Sequence, residues 1–118
     1  MYTIEFYATE DGTKPAKDFI YTLDEKMQAK MLRNLDLLEA NGPALRAPYS
    51  KALEDGIFEL RAKESSNITR VFYFFYVGQK AILTNGFVKK TQKTPKRELA
   101  LAKKYKADYE RRHPHERV

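Results

Sequence analysis

A chain of 118 residues, 42% of them apolar, is long enough to bury one core and too short for two comfortable ones. Having no cysteine excludes a disulfide framework, a thiolate nucleophile, a zinc ribbon and an iron–sulfur cluster, and no apolar run approaches membrane-spanning length. The net charge of +6 is unevenly placed: residues 1–42 carry 5 basic against 8 acidic side chains, residues 43–85 carry 6 against 4, and residues 86–118 carry 11 against 4.

An excess of cations in the last third points to a polyanion or an acidic partner, although a solvated basic helix accounts for the charge equally well. The N-terminus has no basic segment leading into a long apolar one, so a soluble cytoplasmic protein with one domain over residues 1–118 is the expectation.

In chain order, Tyr2 to Tyr7 alternates Tyr2, Ile4 and Phe6 against Thr3, Glu5 and Tyr7, the period of a half-buried strand. Pro15 suits the first position of a helix reaching Leu23, with Phe19, Ile20 and Leu23 facing the core. Asp24 caps a second helix whose stripe of Met27, Met31, Leu35 and Leu38 is widened by Leu32 and Leu37, and Asn41-Gly42-Pro43 ends it. The two helices form a hairpin on the sheet. Pro43 to Asp55 reads as a loop with a helical turn around Ala52 to Glu54, and it carries Tyr49 and Lys51 as candidate binding residues.

Gly56 opens a strand with Phe58, Leu60 and Ala62 on the core face and Ile57, Glu59 and Arg61 opposite. After a polar turn from Lys63 to Asn67, Ile68 to Val77 is apolar enough to be a central strand covered on both faces. Gly78-Gln79 then forms a tight turn into a strand over Lys80 to Val88. Thr94 and Pro95 start a last helix, the hydroxyl as cap and the proline first in the helix, running through Leu99, Ala102, Tyr105 and Tyr109 to about Arg112. The fold class is therefore α+β: an N-terminal strand, a two-helix hairpin, an antiparallel three-strand meander and a C-terminal helix.

Several chemistries drop out. His113 and His115, in a terminal His-Pro-His segment, read as a frayed tail rather than a metal site. There is no Gly-rich phosphate loop or nucleophile elbow, and Glu5, Glu54, Asp55, Glu59 and Glu64 are read as mostly solvated. What remains is cationic. With the last three strands paired as hairpins, Arg61 and Arg70 flank one turn, and Lys89 and Lys90 return to the same edge, followed by Lys93 and Lys96. Arginine supplies bidentate donors to phosphate, lysine a point charge, and the last helix's first amides add donors.

Three blocks carry a resemblance. Asp55-Gly56-Ile57-Phe58-Glu59-Leu60-Arg61, Thr69-Arg70-Val71-Phe72-Tyr73-Phe74 and the segment from Gly86 through Lys89, Lys90 and Lys93 to Pro95 resemble, in that order, the consensus of HigB-type toxins of the RelE superfamily, in the branch found in phage genomes. The resemblance implies a RelE-like, RNase-like domain that acts as the toxin of a type II toxin–antitoxin pair. It implies an endoribonuclease cleaving messenger RNA on the ribosome with no cofactor, held in a heteromeric complex by a helix-turn-helix antitoxin of the HigA type. On this resemblance Arg70 holds the scissile phosphate, Lys90 is a second basic catalytic residue, and Arg61 and Lys89 belong to the branch's motif. Lys51 and Lys93, with Tyr49, Lys63 and Lys96, are the candidate RNA contacts. The chain lacks the catalytic histidines and late tyrosine of several relatives, leaving Lys90 as candidate acid and Lys89 or Glu59 as candidate base. The alternatives are a nucleic-acid or ribosome-binding module without catalysis, and a protein-interaction domain with a basic C-terminal helix.

Overall fold

The computed structural model describes residues 1–89 and 94–114. Its elements are β1 (Thr3–Phe6), α1 (Pro15–Thr22), α2 (Glu25–Asn41), a short turn of 3-10 helix (Gly42–Ala44), β2 (Ser50–Ala52), β3 (Ile57–Glu64), β4 (Asn67–Tyr76), β5 (Lys80–Lys89) and α3 (Lys96–Arg112). The strands form one sheet in the order β1-β5-β4-β3-β2, antiparallel except for β1, which pairs in parallel with β5. Between the two parallel strands the chain crosses the sheet through α1 and α2 to β2 at the far edge and returns antiparallel through β3 and β4.

Two layers of helix cover the sheet. Leu60 and Ala62 of β3, Val71 and Tyr73 of β4, and Ala81 and Leu83 of β5 pack against Ile20, Met27, Met31, Leu35 and Leu38 of the helical hairpin. Their strand neighbours point the other way: Ile57 and Phe72 meet Ala102 of α3, and Phe74 and Ile82 meet Tyr109. β4 is the middle strand and is buried from Thr69 to Phe74, as its uninterrupted apolar run requires. Each fully buried Leu, Ile or Phe side chain contributes about 1.5–3 kcal/mol, so these two faces account for most of the driving force.

Local signals hold at the helix ends. The Met27 amide donates to Asp24 Oδ1 at 2.8 Å, and Gly42 closes α2 with φ of 51° and its amide on Leu38 O. Other expectations need correction. Residues 50–52 are a strand rather than the start of a helical turn, because the edge of β3 offers a ladder and the buried Ser50 hydroxyl lies 2.6 Å from the Tyr73 hydroxyl. The last hairpin turns through three residues, Val77 to Gln79, with both Gly78 and Gln79 at positive φ. Leu32 is exposed instead of widening the core stripe. Pro95, not Thr94, occupies the cap position of α3, and it makes no side-chain cap bond.

Candidate anion-binding site

The β3–β4 register sets Arg61 directly opposite Arg70, and Glu59 lies two residues along β3 on the same face. Two guanidinium groups facing each other across a non-polar sheet repel unless a counter-charge lies between them. Glu59 supplies it. Arg61 Nε donates to Glu59 Oε2 at 2.7 Å, Arg70 Nη1 lies 3.4 Å from the same oxygen, and the Thr94 hydroxyl donates to Oε1 at 3.1 Å. The hydroxyl expected to cap α3 is used on this carboxylate instead.

Glu59 is fully buried, Arg70 is 2% exposed and Arg61 is 29% exposed. Burial pushes the Arg70 guanidinium below its ordinary pKa and the neighbouring Arg61 adds to that, while Glu59 acts against both. The expectation of a solvated Glu59 fails because α3 and Phe72 close the face that β3's alternation assigned to solvent. Both Glu59 oxygens are engaged, and its side chain has no solvent exposure. Its chemistry is to hold two arginines side by side.

The arginines open onto a pocket of about 440 Å³ at the edge of β3 beyond the end of β2. Arg61, Lys63 and Arg70 line it from the sheet, Tyr49 and Pro48 from the preceding loop, and Lys30, Arg33, Asn34 and Leu37 from α2. Among the described residues that line it there is no carboxylate. Lys30 reaches Glu64 at 2.7 Å and the Lys63 carbonyl at 2.9 Å just outside, which leaves the interior electropositive.

Of the candidate residues, the structure therefore gathers Arg61, Arg70, Tyr49 and Lys63. Lys51 stands on β2 opposite Glu59 in the ladder and is exposed outside the pocket, and Lys96 is exposed in the first turn of α3. The backbone of Lys89 pairs with Ile68, which brings the end of β5 beside Arg70's strand segment. Lys90 and Lys93 lie outside the described residues. The α2 wall was missed, although Lys30, Arg33, Asn34 and Leu37 recur at the i, i+3, i+4, i+7 spacing of one helix face.

The remaining carboxylates have partners elsewhere. Glu5 lies 3.6 Å from Lys80, and Glu54 and Asp55 both engage Lys103, Asp55 at 3.2 Å. No group of three or more His, Cys, Asp or Glu side chains among the described residues is placed to hold a metal ion. His113 is not frayed: its ring stacks on Tyr109 with centroids 4.0 Å apart, and its backbone carbonyl accepts from the Tyr76 hydroxyl. Among the described residues, no helix is long and apolar enough to cross a membrane.

Fold and pocket together define a small, basic α+β protein with an electropositive site at a sheet edge. The family model for the phage derived protein Gp49-like (DUF891) matches residues 18–107, and the chain belongs to that family, one of RelE/HigB-like toxins. The match spans every candidate site residue from Tyr49 to Lys96. No curated protein matches the chain.

Proposed function

We propose that this protein is the toxin of a type II toxin–antitoxin pair, of HigB type, acting as an endoribonuclease on messenger RNA at the ribosome. The observation that carries the reading is the Glu59-bridged arginine pair at the base of a pocket lined by cations, in a chain of this family. The ribose 2′-hydroxyl attacks the adjacent phosphate, giving a cyclic phosphate and a free 5′-hydroxyl. Arg61, the more exposed of the pair, meets the phosphate first, and Arg70 adds charge from beneath. At about 5 Å and an effective dielectric constant near 20, each guanidinium contributes roughly 3 kcal/mol to an extra negative charge on the pentacoordinate phosphate. Lys90 protonates the leaving oxygen and Lys89 acts as base.

The partner in this reading is a helix-turn-helix antitoxin of HigA type. It is tested by adding the protein to translating ribosomes and mapping RNA ends, alongside Arg61→Ala. The expected result is discrete cleavage within the message, reduced about 100-fold or more in the variant. Arg70→Ala is the less clean probe: it empties a fully buried position and takes one of two cations from the buried Glu59, so lost activity there must be compared with the folded fraction. RNA binding by wild type without any cleaved ends would reduce the protein to a non-catalytic binding module.

A further inference from the structure

The pocket holds more than a phosphate needs. Tyr49 is a large aromatic side chain left 41% exposed in a pocket lined by five cations, Lys30, Arg33, Arg61, Lys63 and Arg70. Its position is built rather than incidental. The Arg61 amide donates to Tyr49 O at 2.8 Å, while the Arg61 carbonyl accepts from Asn34 Nδ2 at 2.6 Å. The main chain of one arginine is thus gripped by the aromatic loop on one side and by α2 on the other. Leu37, Pro48 and Ile68 complete an apolar wall, and Arg33 faces the same space.

We propose that this pocket is a nucleotide subsite, in which Tyr49, Arg33 and Leu37 hold the base of the nucleotide whose phosphate lies on Arg61. The proposal rests on the RNA reading above and adds base recognition to it. Three properties select this ligand class. The volume of about 440 Å³ lies in the range of small-ligand pockets, which start near roughly 300 Å³. Among the described residues the lining combines cations with no carboxylate, as an anion requires. A phenol and a guanidinium are both planar groups on which a base stacks, and such stacking is sequence-tolerant but ranks purines and pyrimidines differently. An acidic peptide would satisfy the cations and leave the aromatic wall unused.

The test is an NMR-monitored titration of the folded protein with the four nucleoside 5′-monophosphates and with ribose 5-phosphate, which differs from them only in lacking the base. Nucleotides are expected to bind about tenfold tighter or better. Tyr49→Ala should remove that advantage and leave ribose 5-phosphate affinity within about twofold, Tyr49→Phe should keep it, and Arg61→Gln should weaken all ligands alike. Equal affinity for nucleotide and ribose phosphate in the wild type, or an equal loss for both in Tyr49→Ala, overturns the subsite. The two readings fail separately. Base-dependent binding without RNA cleavage rejects the nuclease, and cleavage without base-dependent binding rejects the subsite.

Discussion

Glu59 is the residue on which the site's electrostatics turn. Removing it leaves Arg61 and Arg70 opposed across the ladder with their shared counter-charge gone, and Arg70 has almost no access to water. Glu59→Ala is therefore expected to destabilise the fold by about 3–5 kcal/mol, read as a lower urea midpoint at unchanged slope. Pairing it with Arg70→Met should recover much of that loss, because the double variant no longer opposes two guanidinium groups across the ladder without the carboxylate between them. Additive losses in the double variant would mean that the two side chains are not energetically coupled. The same carboxylate ties the site to the start of α3 through Thr94, whose hydroxyl bonds Glu59 and does not cap the helix.

At the scale of elements, the contact between α1 and the β4–β5 pair depends on the absence of one methyl group. A Cβ on Gly86 would lie 2.5 Å from Phe19 Cδ2 and 2.8 Å from the Arg70 carbonyl oxygen. Phe19 could swing away, but the carbonyl belongs to the central strand and moves only with Arg70 itself. The ladder there is already irregular, Val71 facing Gly86 and Tyr73 facing Leu83, which places two β5 residues opposite Phe72. Gly86→Ala is expected to cost about 1–3 kcal/mol and to lower Tm, and any residual folded protein should show weakened phosphate binding as the Arg70 segment shifts. A variant as stable as wild type would show that the strand accommodates the methyl freely.

For the whole molecule, closure of the α3 layer rests on a polar clasp at its far end. The Tyr7 hydroxyl donates to Asp108 Oδ2 at 2.5 Å, Arg112 lies 2.7 Å from the same oxygen, and Arg112 also donates to the Ala8 carbonyl. These partners, the Tyr7 hydrogen bond foremost, hold the Asp108 carboxyl down at about 2 against an ordinary 3.8, and burial raises the Tyr7 phenol to about 12. A depressed carboxyl favours the folded state above its unfolded pKa, so this contribution is complete above about pH 5 and is lost as pH falls through 4 towards 2. Thermal melts between pH 6 and pH 2 should show that decline, and Asp108→Asn should flatten the Asp108 part of it. An identical pH profile in the variant would place the acid sensitivity elsewhere.

The sequence by itself determined what neighbours along the chain decide. The alternation of β1 and β3, the apolar run of β4, the Asp24 cap, the stop at Gly42 and the placing of Arg61 and Arg70 across one turn each depend on residues within about ten positions of one another. The α+β class and its element order follow from these, and the arginine pair was legible in advance because a short hairpin leaves no other register that keeps Leu60 and Ala62 inward. Tertiary structure alone decided which faces are closed and which residues meet across the chain. It paired β1 in parallel with β5, added β2 to the edge of β3, brought Thr94 onto Glu59 and brought the α2 wall to Tyr49. A carboxylate that alternation assigns to solvent becomes a buried bridge only when Arg70 across the ladder and Thr94, 35 residues further on, close on it, and no local pattern around Glu59 carries that information.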